Sequence, residues 1–136
     1  MARDLFHQEV VAALEKDGWR ITHDPLVLPF EDINYQIDLG AEGMVGAERA
    51  GEKIAVEIKS FHGPSFSHQF HAALGQFLNY KVGLTLREPD RHLYLAMPER
   101  LKKYLTNEAI QASLNTYQVA LIIFNPETKT IEAWRK

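Results

Sequence analysis

The stretch 53–61, Lys-Ile-Ala-Val-Glu-Ile-Lys-Ser-Phe, constrains the fold more than any other part of the chain. Side chains of a strand alternate between its two faces, so Ile54, Val56 and Ile58 share one face and Ala55, Glu57 and Lys59 the other. A strand this apolar is no exposed edge; it belongs inside a sheet covered by other elements. Glu57 and Lys59 then stand where a sheet protein would otherwise place apolar side chains, and charges there require compensation.

The surrounding pattern supplies the layers. Phe6, Val10, Ala13 and Leu14 form one helical stripe over 4–16, with Asp4 placed to cap or charge its start and Gly18 to stop it. A short strand at 19–22 is broken by His23-Asp24-Pro25. Residues 35–39 alternate as a second strand, and 44–48 read as its continuation or as a short hairpin arm. After strand 53–61, Ser67 is the expected N-cap of a helix over 68–84, with Phe70, Leu74, Phe77, Leu78 and Val82 available for burial. A strand at 92–97, helices at 99–105 and 107–114, and strands at 119–124 and 130–134 complete the order α-β-β-β-α-β-α-β-β. Interleaved helices and strands predict an α/β fold, a single domain whose mixed β-sheet is flanked by helices. The late strand 119–124 and Trp134 are expected in the core or at a subunit interface.

With 136 residues and no linker or repeat, the chain reads as one domain that needs no staple to fold. The absence of cysteine excludes disulfides, thiolate metal sites and cysteine nucleophiles. No secretory signal and no apolar run of membrane-spanning length are evident, so the expected location is cytoplasmic, away from membranes. A net charge of −3 argues against DNA binding through broad phosphate neutralisation. Contact with DNA would rest on a local patch, a metal ion or a partner protein.

Asp38 ends the strand before 53–61, and if the two strands pair it can approach Glu57. Two converging carboxylates repel unless a cation lies between them, and hard ions such as Mg²⁺ or Mn²⁺ favour oxygen ligands. The expected metal ligands are Asp38, Glu57 and the carbonyl of Ile58, with Lys59 orienting a water or offsetting phosphate charge. Asp followed by Glu-x-Lys on the next strand resembles the PD-(D/E)XK nuclease superfamily, with Ile37-Asp38 in place of the Pro-Asp pair. The resemblance implies a restriction-endonuclease-like core. Gln76 and Tyr80, four apart on one helix face, resemble the Gln-x-x-x-Tyr pattern of the RecB-like branch, whose members flank the metal and the DNA. Glu9 and His7 are equal candidates for the acidic contribution that the superfamily often draws from its first helix. His68 and His71 have helical metal spacing but no third ligand, and Arg100, Lys102 and Lys103 read as a solvated helix face. Taken singly, a Glu-x-Lys pair on a strand is most often a solvated surface feature; the weight comes from the combination.

Longer blocks carry a closer resemblance. Lys16-Asp17-Gly18-Trp19, residues 21–26 (Ile-Thr-His-Asp-Pro-Leu), 37–42 (Ile-Asp-Leu-Gly-Ala-Glu), 51–61, 73–80 and Leu93-Tyr94-Leu95-Ala96 are similar to the XisH family, the excision-controlling factors of cyanobacterial DNA elements. The resemblance implies a role in controlling programmed excision of the fdxN-type element, alongside DNA, a site-specific recombinase and a companion protein of XisI type. Two competing readings are a non-catalytic DNA- or protein-binding module with a relic site, and a toxin or defence nuclease paired with a neighbour. A homodimer is also plausible for so small a nuclease core.

Overall fold

The structure is a computed structural model and describes residues 4–44, 46 and 49–136. Helix α1 (His7–Lys16) leads into β1 (Trp19–His23), β2 (Leu26–Phe30), β3 (Ile33–Ile37), β4 (Leu39–Gly43) and β5 (Lys53–Ile58). Helix α2 (Phe66–Arg87), β6 (Arg91–Pro98), a 3₁₀ segment (Glu99–Thr106), α3 (Glu108–Thr116), β7 (Leu121–Asn125) and β8 (Thr130–Arg135) follow. Six strands form one sheet in the order β1-β4-β5-β6-β7-β8, while β2 and β3 make a separate two-stranded arm. Strands β5, β6 and β7 run parallel at the centre; β4 and β1 on one flank and β8 on the other are antiparallel. The result is the mixed sheet flanked by helices that the sequence predicts.

The alternation in β5 separates two cores. Ile54, Val56 and Ile58 join Trp19, Tyr94 and Phe124 under Val10 and Leu14 of α1. Ala55 looks the other way, into a layer that α2 builds with Phe70, Phe77 and Leu84 against Leu95 and Ile123. Each such large side chain, fully buried, contributes about 1.5–3 kcal/mol. The β2–β3 arm packs on the same side, its Leu26, Leu28 and Ile37 entering the α2 layer. Gly18, with φ 91°, ends α1 in the left-handed region that glycine adopts without a side-chain clash.

Several local expectations are corrected. Strand β2 was not anticipated, because Pro29 lies inside it; an edge strand tolerates the missing donor. The expected single strand 35–39 is two strands in two sheets, broken at Asp38. Of the expected arm over 44–48, positions 45, 47 and 48 lie outside the described residues, and Met44 and Gly46 are not in a strand. Helix α2 begins two residues earlier than expected, since Ser65 rather than Ser67 accepts the His68 amide. Val82 is 61% exposed, because the buried stripe runs through Phe70, Ala73, Phe77, Tyr80 and Leu84, and position 82 falls on the opposite side. The helix expected over 99–105 is 3₁₀. Asn107 caps α3, accepting from the amides of Ala109 and Ile110. The late strand is core: Leu121 through Phe124 are buried, and the Trp134 ring packs against Trp19 and Tyr94. No helix among the described residues is long and apolar enough to cross a membrane.

Candidate active site

Asp38 occupies the corner where the chain leaves the β2–β3 arm and enters the main sheet. Its backbone amide donates to Glu57 Oε1 at 3.2 Å, and its Oδ2 accepts from the Ile58 amide at 2.8 Å. These bonds replace the strand ladder at that point, which is why the alternating segment splits in two. Antiparallel pairing of β4 with β5, Leu39 opposite Val56, brings the corner alongside Glu57. The two acids therefore lie together, as strand pairing allows. Glu57 is 4% exposed and Lys59 Nζ stands 3.5 Å from its Oε2.

The electrostatics follow from this packing. Burial is the main force raising the Glu57 carboxyl, to about 8; the Asp38 charge raises it further, and Lys59 only partly opposes the rise. Asp38 is also raised by burial, against the pull of the Ile58 amide and of the His7 and Lys59 charges. Tyr80 is pushed up to about 12, first by burial and then by the charges of Glu57 and Asp38, which places it in the field of the pair. On the same helix face as Tyr80, Gln76 holds its Oε1 buried without a hydrogen-bond partner among the described residues. Such an acceptor calls for a donor from outside the chain or from water.

Of the two candidates on the first helix, His7 is the buried one, at 4% exposure, with Nε2 2.9 Å from Asp24 Oδ1. Its charge acts on Asp38, whereas Glu9 is not among the groups that do. His68 and His71 are exposed on α2, and no group of three His, Asp or Glu side chains among the described residues converges to hold a metal. What the site offers is two side-chain carboxylates and backbone.

Sequence reasoning missed the supports behind the site. Asp4, expected at the start of the first helix, does accept there from the Phe6 amide at 2.9 Å, but it also reaches far along the chain to accept from the Ser60 amide at 3.0 Å. Arg100, expected on a solvated face, instead donates to the carbonyls of Ser60 and Phe61. Between these two clamps Phe61 sits at φ 56°, in the left-handed region that costs a bulky residue about 1–3 kcal/mol. No local motif signals the contacts to Ser60 and Phe61, because their partners are 39 to 56 residues apart.

Residues 1–132 match the family model described as XisH protein. The chain belongs to the XisH family. Two solved structures share its fold. An XisH family protein from Nostoc punctiforme PCC 73102 is 41% identical, with 98% of this chain and all of that one covered and a TM-score of 0.88. An fdxN element excision controlling factor protein from Anabaena variabilis is 40% identical, with the same coverage and TM-score. Among curated proteins no match was found. Nearly complete mutual coverage means that the shared fold takes in nearly all of the given residues, the Asp38–Glu57 corner among them.

Proposed function

We propose that this XisH-family chain assists or controls the excision of a DNA element, and that Asp38, Glu57 and Lys59 form a divalent-metal endonuclease site within it. The excision role is carried over from the Anabaena variabilis relative, described as an excision controlling factor. The endonuclease part rests on one observation: buried Glu57 on β5 and half-buried Asp38 at the bend before β4 share a hydrogen-bonded corner with an ammonium beside them.

The donor set fits Mg²⁺ or Mn²⁺. Two carboxylates raised by mutual burial gain from a cation between them, and Mg²⁺ is commonly held by one or two carboxylates plus waters. Asp38, Glu57 and the Ile58 carbonyl would hold it. A bound ion of this kind polarises a phosphoryl oxygen and lowers the pKa of a coordinated water. The chain's own residues do the rest. Lys59 keeps two donor hydrogens beyond its contact with Glu57 and can direct them to a phosphate oxygen or to the attacking water. The Ile58 amide fixes Asp38 in orientation. Gln76 offers its buried carbonyl oxygen to a water at the site, and Tyr80 stays a neutral hydroxyl donor well above physiological pH.

In the test, supercoiled DNA is incubated with protein and Mg²⁺ or Mn²⁺. Nicking is expected from the wild-type chain, falling to background in Lys59→Ala with the fold unchanged by circular dichroism. Equal behaviour of both proteins on every DNA form would remove the enzymatic part.

A second reading, a non-catalytic module that grips DNA or a XisI-type companion and acts with a recombinase only indirectly, draws on the acidic net charge of −3. Calorimetric titration with Mg²⁺ separates the two. An isotherm lost in Asp38→Ala favours the nuclease; no isotherm favours the module.

A further inference from the structure

Beside Lys59, between the loop that follows β5 and the first turns of α2, lies a cleft of about 340 Å³. We infer that this cleft seats a single unpaired nucleotide, so that the DNA engaged at the site is single-stranded or branched rather than continuous duplex. The inference rests on the reading of Lys59 as the residue that meets the phosphate.

Size comes first. The volume is at the low end of the roughly 300–1,000 Å³ typical of small-ligand sites, room for about one nucleotide. Chemistry comes second. Phe61 and Ala73 supply apolar lining, while Lys59, His62 and Gln69 supply polar groups around it. Phe61 and Ala73 are nearly buried and close the floor, so the surface a base would lie against is the exposed His62 ring, with Lys59 placed for a phosphate alongside. The His62 ring lines the cleft, is exposed, and rests 5.3 Å from the ring of Phe6 in a tilted contact. Asp4 is the single acid on the wall, and each of its oxygens already accepts a backbone amide.

The wall is also set in place in advance. Asp4 holds the Ser60 amide, Arg100 holds the Ser60 and Phe61 carbonyls, and Phe61 is kept in a left-handed conformation between them. Backbone strain retained against a cleft is a mark of a site shaped for a ligand. Gly63 leaves room for the Gln69 amide to lie across the loop: a Cβ there would fall 1.6 Å from Gln69 Nε2 and push that side chain aside. The net charge of −3 agrees, since a duplex-tracking surface needs many phosphate contacts and a one-nucleotide pocket needs few.

Fluorescence anisotropy tests this with the full chain in Mg²⁺ buffer, using a fluorescein-labelled oligothymidine and a blunt duplex of the same length, with cleavage of both followed on a gel. The oligothymidine is expected to bind about tenfold or more tighter than the duplex, a difference of about 1.4 kcal/mol. His62→Ala and Gln69→Ala should each weaken oligothymidine binding several-fold and leave the weak duplex binding alone. Gly63→Ala should act like Gln69→Ala by displacing the same amide. Duplex binding as tight as single-strand binding, no binding of either, or cleft variants indistinguishable from wild type would each overturn the inference. Single-strand preference without any cleavage would instead sink the nuclease reading and leave the cleft standing.

Discussion

The two faces of β5 divide their work. On the α1 face, the side chains of Ile54, Val56 and Ile58 are sealed in an apolar cluster with Val10, Leu14 and Phe124. On the α2 face the same strand begins with Ala55 in the core and then turns to Glu57, buried as deeply but beside Asp38 and Lys59. Equal burial with opposite chemistry shows that the second face is not used for packing alone. One register step along a strand separates a position that must be hydrocarbon from one that holds an acid.

The strongest way to break this contrast is to move the acid by one residue. Val56→Glu places a carboxylate in the sealed layer with no partner, and is expected to cost about 4 kcal/mol or more, a large part of the stability of a domain of this size. Urea denaturation reads the loss; a folded Val56→Glu protein of near wild-type stability would show that the faces are not different in kind.

Next in size is the pH dependence. Glu57 binds its proton more tightly folded, at about 8, than unfolded, near 4.5. Its protonated form thus favours the fold, so the contribution is complete below about 4.5 and is lost as pH rises toward 8. Metal-free protein should therefore lose stability by a few kcal/mol across that interval, and Glu57→Gln should flatten the profile. Mg²⁺ should restore stability most at the alkaline end, where its ligands are deprotonated. Melting temperatures that fall equally in wild type and Glu57→Gln would assign the pH effect to other groups.

The smallest effect expected is that of Arg100→Ala, which frees two carbonyls at a partly exposed loop. About 1–2 kcal/mol should be lost by chemical denaturation, together with order around Phe61. Hydrogen exchange unchanged at residues 60–63 would show that the loop holds its shape without the clamp.

The sequence made the layered fold legible because its strongest signals are periodic. The stripe of α1, the alternation of β5 and the apolar run of β7 each follow from local spacing. Asp38, Glu57 and Lys59 stood out for the same reason, as charges where the period calls for hydrocarbon. What stayed hidden depends on contacts remote in sequence. Asp38 splits its strand through a bond to Ile58, twenty residues on, and Asp4 reaches Ser60 across fifty-six. Strand β2 escaped because Pro29 argues against a strand unless its edge position is already known.

Gly83 is a poor helix residue, costing about 1 kcal/mol relative to alanine, yet it sits inside α2. A Cβ there would come 2.9 Å from the Tyr35 ring and 3.3 Å from Leu28, so the bare backbone is the footing on which the β2–β3 arm rests. Asp38 is the next residue after that arm. The position of Asp38 is therefore tied at a distance to how low the arm can sit on the helix, and a methyl group at Gly83 is expected to lift the arm that leads into a carboxylate pair it never touches.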